Sequence, residues 1–410
     1  MIVYTVAMLL TVLLAFAYER RRNLWWLMPL AALPLALVAA ARWNVGTDFR
    51  RTYLPMYRAL EHLRGAGKPV AKEKVFVRWA KRGTFGKTPK RVLKHFCKLV
   101  HRSEPGYRAL MEVSFRSGIG FFGVISFCAL LTAACVFFAI FRFSRWPSLA
   151  AFLYVASSNY FLSLNIMRQY VAIGIGLVAL TFIVDRKLWH FLACVAVATL
   201  FHYSAVALLP CCILIRTEIT PKRGLVLVAS ALALAFAIAP VFVDIVEIAV
   251  ALVLAVSSAI APPVHKFLLG VGADHYARYF SSVLAKDGFE WIFFAINLCF
   301  LALGARYWDR VREGNRLFVL WYGMTVIGTI ALAFSGSIPL MKRINYYYAA
   351  PQFLMLPEIL LAEEDVRRRR ILTGVAILAF LAETIVAVCL FNKNGVLPYR
   401  IGFWHGLGLR

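Results

Sequence analysis

The chain alternates long apolar runs with short basic breaks. The runs are about 17 to 25 residues long, the length a helix needs to cross roughly 30 Å of hydrocarbon. They predict spans at 2–18, 23–41, 117–141, 147–163, 168–184, 224–242, 290–305, 317–335, 345–362 and 371–391, with a shorter apolar segment at 189–215. The fold class that follows is all-α: a polytopic membrane protein of about 10–12 transmembrane helices, with 1–410 forming a single transmembrane domain.

Lys and Arg in short loops stay on the cytoplasmic side. The loops that qualify are Glu19–Arg22, Arg142–Trp146, Asp185–Lys187, Arg216–Arg223, Arg306–Arg316 and Glu363–Arg370. They place the N-terminus outside. No basic residue precedes the first apolar run, Ile2 to Tyr18, and Glu19-Arg20-Arg21-Arg22 follow it; this reverses a secretory signal and predicts an uncleaved first span. The segment 189–215 fits either one span or two half-length helices meeting near His202, and the basic loops on both sides favour the hairpin. Two large loops then lie outside, 42–116 and 262–289. The outer face collects Gly46-Thr47-Asp48, Glu104-Pro105-Gly106-Tyr107, Asn165 to Gln169, Asp274 to Tyr279, Lys342-Arg343 and Pro398-Tyr399-Arg400.

Composition agrees with the pattern, since 61% of residues are hydrophobic and mean hydropathy is +0.73, too apolar for a soluble globule. A net charge of +26 would ordinarily raise nucleic acid as a partner. However, nineteen Lys and Arg against five Asp and Glu fall between Arg42 and Arg116, a local net of +14. Basic residues between membrane spans meet lipid phosphates or an anionic lipid-linked substrate instead. Within this loop cations and apolar residues repeat at helical spacing, as in Lys74-Val75-Phe76-Val77-Arg78-Trp79 and Arg91-Val92-Leu93-Lys94-His95-Phe96. They predict amphipathic helices lying on the membrane, with Phe76, Trp79, Val92 and Phe96 toward lipid. Seven of the eight cysteines lie in apolar segments, with no disulfide framework and no metal-ligand spacing. Neither metal nor cofactor is expected.

Among the polar residues, Arg168-Gln169 begins an otherwise apolar span. An arginine there costs a few kcal/mol unless paired or wetted, and its fork suits a phosphate or pyrophosphate; a snorkelling or carbonyl-bound arginine is the structural alternative. Arg343 precedes Asn345-Tyr346-Tyr347-Tyr348 and reads the same way. His202 interrupts an apolar segment, where imidazole can donate to a phosphate oxygen, move a proton, or simply be hydrogen-bonded. Asp48 can act as a general base toward a sugar hydroxyl or as the N-cap of a helical stretch from Phe49 to Arg64. Glu104 is the second outer carboxylate, or the start of a helix.

Several strings, NVGTDFRRTYLPMY, EPGYRALMEVSF, LNIMRQYVAIGIGLVAL, FHYSAVALLP, KRINYYY and the terminal LPYR, resemble in order the EpsG family of exopolysaccharide proteins, which is similar to Wzy-type polysaccharide polymerases. The resemblance implies a GT-C-like membrane glycosyltransferase. Such an enzyme takes an undecaprenyl-pyrophosphate-linked glycan and extends a polysaccharide on the outer face of the cytoplasmic membrane, beside a chain-length regulator and a flippase. Asp48 matches the family's Gly-x-Asp, Arg168 and Gln169 its Arg-Gln, His202 its Phe-His-x-Ser-Ala and Arg343 the arginine before its tyrosines, while Asp274 to Tyr279 matches an outer Tyr-containing loop. On this reading Asp48, Glu104 and His202 are catalytic. Arg168, Gln169, Arg278, Tyr279, Arg343, Tyr347 and Arg400 bind the substrate. Two rivals are a lipid-linked glycan flippase or transporter, which would show related halves and charges along a central path, and a membrane O-acyltransferase, which would want its histidine reached from the cytoplasm.

Overall fold

In the computed structural model every secondary-structure element of the described residues is helical, apart from an isolated bridge between Arg42 and Ile401; those residues are 1–66, 73–81, 88–238, 252, 255–256, 291–313, 315–336 and 338–402. Arg278 and Tyr279, with the whole of the expected loop 262–289, lie outside them. The chain divides into two units, Met1–Val206 with Glu363–Arg410, and Ala207–Ala362.

The first unit is built on α1 (Ile2–Arg20), α2 (Leu27–Ala40), α7 (Phe121–Phe143), α8 (Pro147–Ala156), α9 (Asn159–Asn165), α10 (Met167–Val184), α11 (Leu188–Phe201) and α19 (Val366–Thr384). Of these, α1, α7, α10 and, with its terminal π-helical turn, α19 are long and apolar enough to cross a membrane. Helix α10 is the centre, packed on α7, α9 and α11. Gly174 makes its approach to α7 possible, because a Cβ there would stand 3.0 Å from Cys135 Cβ; small residues let transmembrane helices close on one another. By contrast α1 and α19 expose rows of large apolar side chains, such as Ile2, Leu13, Ile371, Val375 and Leu378, as a hydrocarbon-facing helix does.

Three expected spans differ in detail. The span 147–163 breaks at Ser158, which takes a left-handed φ of +61°, and Asn159 Nδ2 donates to Ser157 Oγ across the break at 2.7 Å. The span 345–362 breaks at Pro351, where proline lacks the N–H to continue a helix. Its two pieces are α17 (Pro339–Ala349) and α18 (Gln352–Leu361). The last span begins five residues early, at Val366, because the Asp365 carboxylate accepts from Arg367 N and Arg368 N at 2.8 and 3.3 Å, and this cap winds the four arginines into the first turn. The segment 189–215 is in two pieces: α11 ends at His202, whose backbone is extended, and a 3₁₀ turn follows over Tyr203–Leu208. Fourteen residues of helix reach only about 21 Å.

The basic loop 42–116 folds into a π-helical turn (Phe49–Tyr53), α3 (Leu54–Leu63), α4 (Lys74–Lys81), α5 (Pro89–Arg102) and α6 (Pro105–Arg116). Its helices are amphipathic as expected, but their apolar faces do not point to lipid. Phe76, Val92 and Phe96 are buried, with Phe76 against His62 and Phe96 against Trp79 at ring separations of 5.7 and 5.8 Å. Helix α5 packs on both α3 and α4. Three short helices with complementary stripes can remove their apolar surface from water by closing on each other, and a pattern along one helix cannot distinguish that partner from a bilayer.

The second unit comprises α12 (Cys211–Leu214), α13 (Pro221–Ile238), α14 (Trp291–Arg306), α15 (Trp308–Arg312), α16 (Arg316–Ala333), α17 and α18. Helix α16, long and apolar enough to span, is packed on by all the others. A buried amide chain, Gln352 Nε2 to Asn297 Oδ1 at 2.8 Å and Asn297 Nδ2 to Asn345 Oδ1 at 3.0 Å, ties α18, α14 and α17 together.

One helix approach has a direct test. A Cβ on Gly106 of α6 would stand 2.8 Å from Leu200 O and 2.9 Å from Leu200 Cβ of α11. Gly106→Ala is therefore expected to lower stability by roughly 1–3 kcal/mol, read as a lower midpoint of thermal unfolding in detergent; an unchanged midpoint would contradict this approach.

Candidate functional site

Three separate helix ends bring one carboxylate between an arginine and a histidine. Glu104 caps α6 with its backbone, Arg108 N donating to Glu104 O at 2.9 Å, while its side chain leaves the helix. The expectation of a helix start is thus met by the main chain alone. One carboxylate oxygen accepts from Arg168 Nη1, on the first turn of α10. The other lies 2.8 Å from His202 Nδ1, at the end of α11. All three side chains are largely buried. An ionised Glu104 is matched by a proton on His202 Nδ1.

The Arg168 guanidinium lies over the rings of Tyr107 and Tyr53, 5.2 and 5.7 Å from their centroids, so cation–π attraction adds to the ion pair. The Tyr53 hydroxyl also hydrogen-bonds Arg168, and burial pushes its pKa well above the usual phenol value while the Arg168 charge opposes and the Asp48 charge adds. Tyr53 therefore feels the cation and Asp48 together.

Asp48 stands at the N-cap of the π-helical turn, yet its side chain makes no capping hydrogen bond, so the N-cap expectation holds for position only. What fixes the turn is Asn165, whose Oδ1 accepts from Thr47 Oγ1 at 2.8 Å and Asp48 N at 2.9 Å. The C-terminal segment straps the other side: Gly46 N donates to Gly395 O and Thr47 N to Asn394 O, at 2.9 and 3.0 Å. Gly46 has φ +95°, and a Cβ there would stand 2.8 Å from Leu164 O, so only glycine fits. Further along the strap Trp43 N donates to Arg400 O at 2.8 Å. Arg400 thus joins the first outer loop by its backbone, and its side chain is exposed.

Of the expected site residues, Asp48, Glu104, Arg168, Gln169, His202 and Arg400 are in the first unit, Gln169 being buried beside Arg168. Arg343 and Tyr347 are in the second, where Arg343 is exposed and Tyr347 buried. Sequence reasoning gave no role to Asn165, Tyr53, Tyr107 or Arg42. The last is buried, donating to Ala39 O and, at 3.4 and 3.5 Å, reaching Leu164 O and Met167 Sδ. Asn165 and the two tyrosines sit inside recognisable strings, but a string does not say which side chains meet.

These residues form a charged, partly water-excluded cluster at the ends of apolar helices in a polytopic membrane protein. Residues 25–401 match the model of the EpsG family, and the chain belongs to that family. With membership goes a general role as a polysaccharide polymerase of glycosyltransferase kind. No curated protein and no solved structure matches the chain.

Burial pushes the Glu104 carboxyl up, but the His202 hydrogen bond and the Arg168 charge outweigh it and hold the group below its ordinary value of 4.5. Such a group contributes stability that is present above the unfolded-state value and lost as pH falls toward the depressed one. Melting curves are expected to lose stability as pH drops below about 4.5 in the wild type and to lack that phase in Glu104→Gln. At neutral pH the same substitution, by leaving Arg168 uncompensated, should cost on the order of 3–5 kcal/mol.

Proposed function

We propose that the protein joins undecaprenyl-pyrophosphate-linked oligosaccharide repeat units into a polysaccharide on the outer face of the cytoplasmic membrane. The observation that carries this reading is the placing of Arg168 and His202 around a single carboxylate at the N-terminus of α10. An arginine at a helix N-terminus is a favourable place for a diphosphate, because the backbone N–H groups and the guanidinium act together.

In the proposed reaction Asp48 takes the proton of an acceptor hydroxyl. The oxygen attacks the anomeric carbon of the donor, the bond from that carbon to the diphosphate oxygen breaks, and its electron pair leaves with the lipid diphosphate. Arg168 stabilises the charge that develops there, with His202, oriented by Glu104 through Nδ1, donating to the same group from Nε2 in its imidazolium form. Electrostatic stabilisation of this kind is worth roughly 10²–10³ in rate per donor. Glu104 makes a poor base, since both its oxygens are already engaged, by Arg168 and His202; the base role goes to Asp48. The reading rests on residues of the first unit.

The test is reconstitution in vesicles with a lipid-pyrophosphate repeat unit. Wild type should lengthen chains, and Arg168→Ala should lose about 100-fold or more. Asp48→Asn should lose chain growth while still retaining the donor. No growth with wild type, or full activity in Arg168→Ala, would sink the reading; lipid transfer between leaflets without sugar transfer would favour a transporter.

A further inference from the structure

Helices α4 and α5 have turned their apolar faces inward, so what they present outward is charge. From Lys74 to Ser103 the sequence holds ten Lys and Arg and no Asp or Glu. Every one of these cations that lies on α4 or α5, namely Lys74, Arg78, Lys81, Lys90, Arg91, Lys94, Lys98 and Arg102, is exposed. None of the large hydrophobic side chains of α4 and α5 is exposed. A helix that lies in a membrane interface needs an apolar face to insert, and these two have spent theirs on packing. The row on α5 from Lys90 to Arg102 extends about 18 Å, longer than one diphosphate can occupy but suited to a polymer with repeated charges. The two helices also lie in the chain between two residues of the site: the π-helical turn and α3 lead from Asp48 to α4, and α5 ends two residues before Glu104. Trp79 Nε1 of α4 donates to Arg50 O of the π-helical turn at 3.4 Å, which pins the cationic face next to the segment carrying Asp48.

We propose that α4 and α5 form a binding surface for an acidic polysaccharide, the growing product itself, whose repeat unit therefore carries carboxylates or other anionic substituents. This rests on the polymerase reading and specifies its substrate class. A surface that holds the nascent chain beside the site keeps it available for the next addition, so loss of the surface shortens the product without slowing a single addition.

The experiment uses the full chain in phosphatidylcholine nanodiscs, with size-fractionated alginate as the acidic probe, dextran as the neutral one and phosphatidylglycerol vesicles as the lipid one. The variant carries Lys90→Gln, Arg91→Gln, Lys94→Gln and Lys98→Gln together, all exposed changes to a residue that favours helix. Wild type should bind alginate over dextran in a salt-sensitive way, and the variant at least about tenfold more weakly. With the lipid-linked repeat unit the variant should match the wild-type rate of a single addition and give shorter chains. The inference is overturned if alginate binds no better than dextran, if the variant makes chains of wild-type length, or if phosphatidylglycerol and not alginate depends on these four residues. A wild type that binds alginate yet extends no repeat unit removes the polymerase reading and leaves the polyanion surface standing; one that polymerises and ignores alginate does the reverse.

Discussion

The carboxylate of Glu104, taken out of water and shared between Arg168 and His202, is the interaction on which the first unit's functional end depends. Removing ionised groups from water costs several kcal/mol each, and only close pairing returns that energy. None of the three side chains is therefore stable in its place without the others. Because they come from the starts of α6 and α10 and the end of α11, satisfying the charge brings three chain segments into one arrangement. The close contact of Gly106 with Leu200 is the steric side of the same requirement. Arg168 is further held by two tyrosine faces, which lower the cost of a cation at the end of an apolar helix.

A second set of constraints positions the turn that carries Asp48. Asn165 accepts from the turn on one side, and the strap at 394–402 accepts from it on the other. Both contacts use the backbone or Thr47. Glu104 is held through its side chain instead, one oxygen engaged by Arg168 and the other by His202.

The cationic module shows how packing alters the meaning of a composition. Ten cations in thirty residues read as a lipid-surface motif as long as Phe76, Val92 and Phe96 are imagined facing outward. Once those residues close on α3 and on one another, the same charges form the outward face of α4 and α5. Electrostatics is then its principal means of recognition.

Much of the architecture was legible in the chain alone. The apolar runs determined that this is a helical, many-span membrane protein, because hydrocarbon leaves a backbone few other ways to satisfy its hydrogen bonds. Ordered motifs drew attention to Asp48, Arg168 and His202, and the outer placement of its loop to Glu104. Helix breaks at Ser158 and Pro351 and the early start at Asp365 depend on local caps and turns, which a hydropathy run averages away. What only the tertiary structure decided is which polar groups meet: that Glu104 lies between Arg168 and His202, that Asn165 holds the turn of Asp48, and that the amphipathic faces of α4 and α5 look inward. Periodicity along a helix records which face wants to leave water; whether protein or lipid receives it, and which distant charge answers a buried one, is settled only when separate segments pack together.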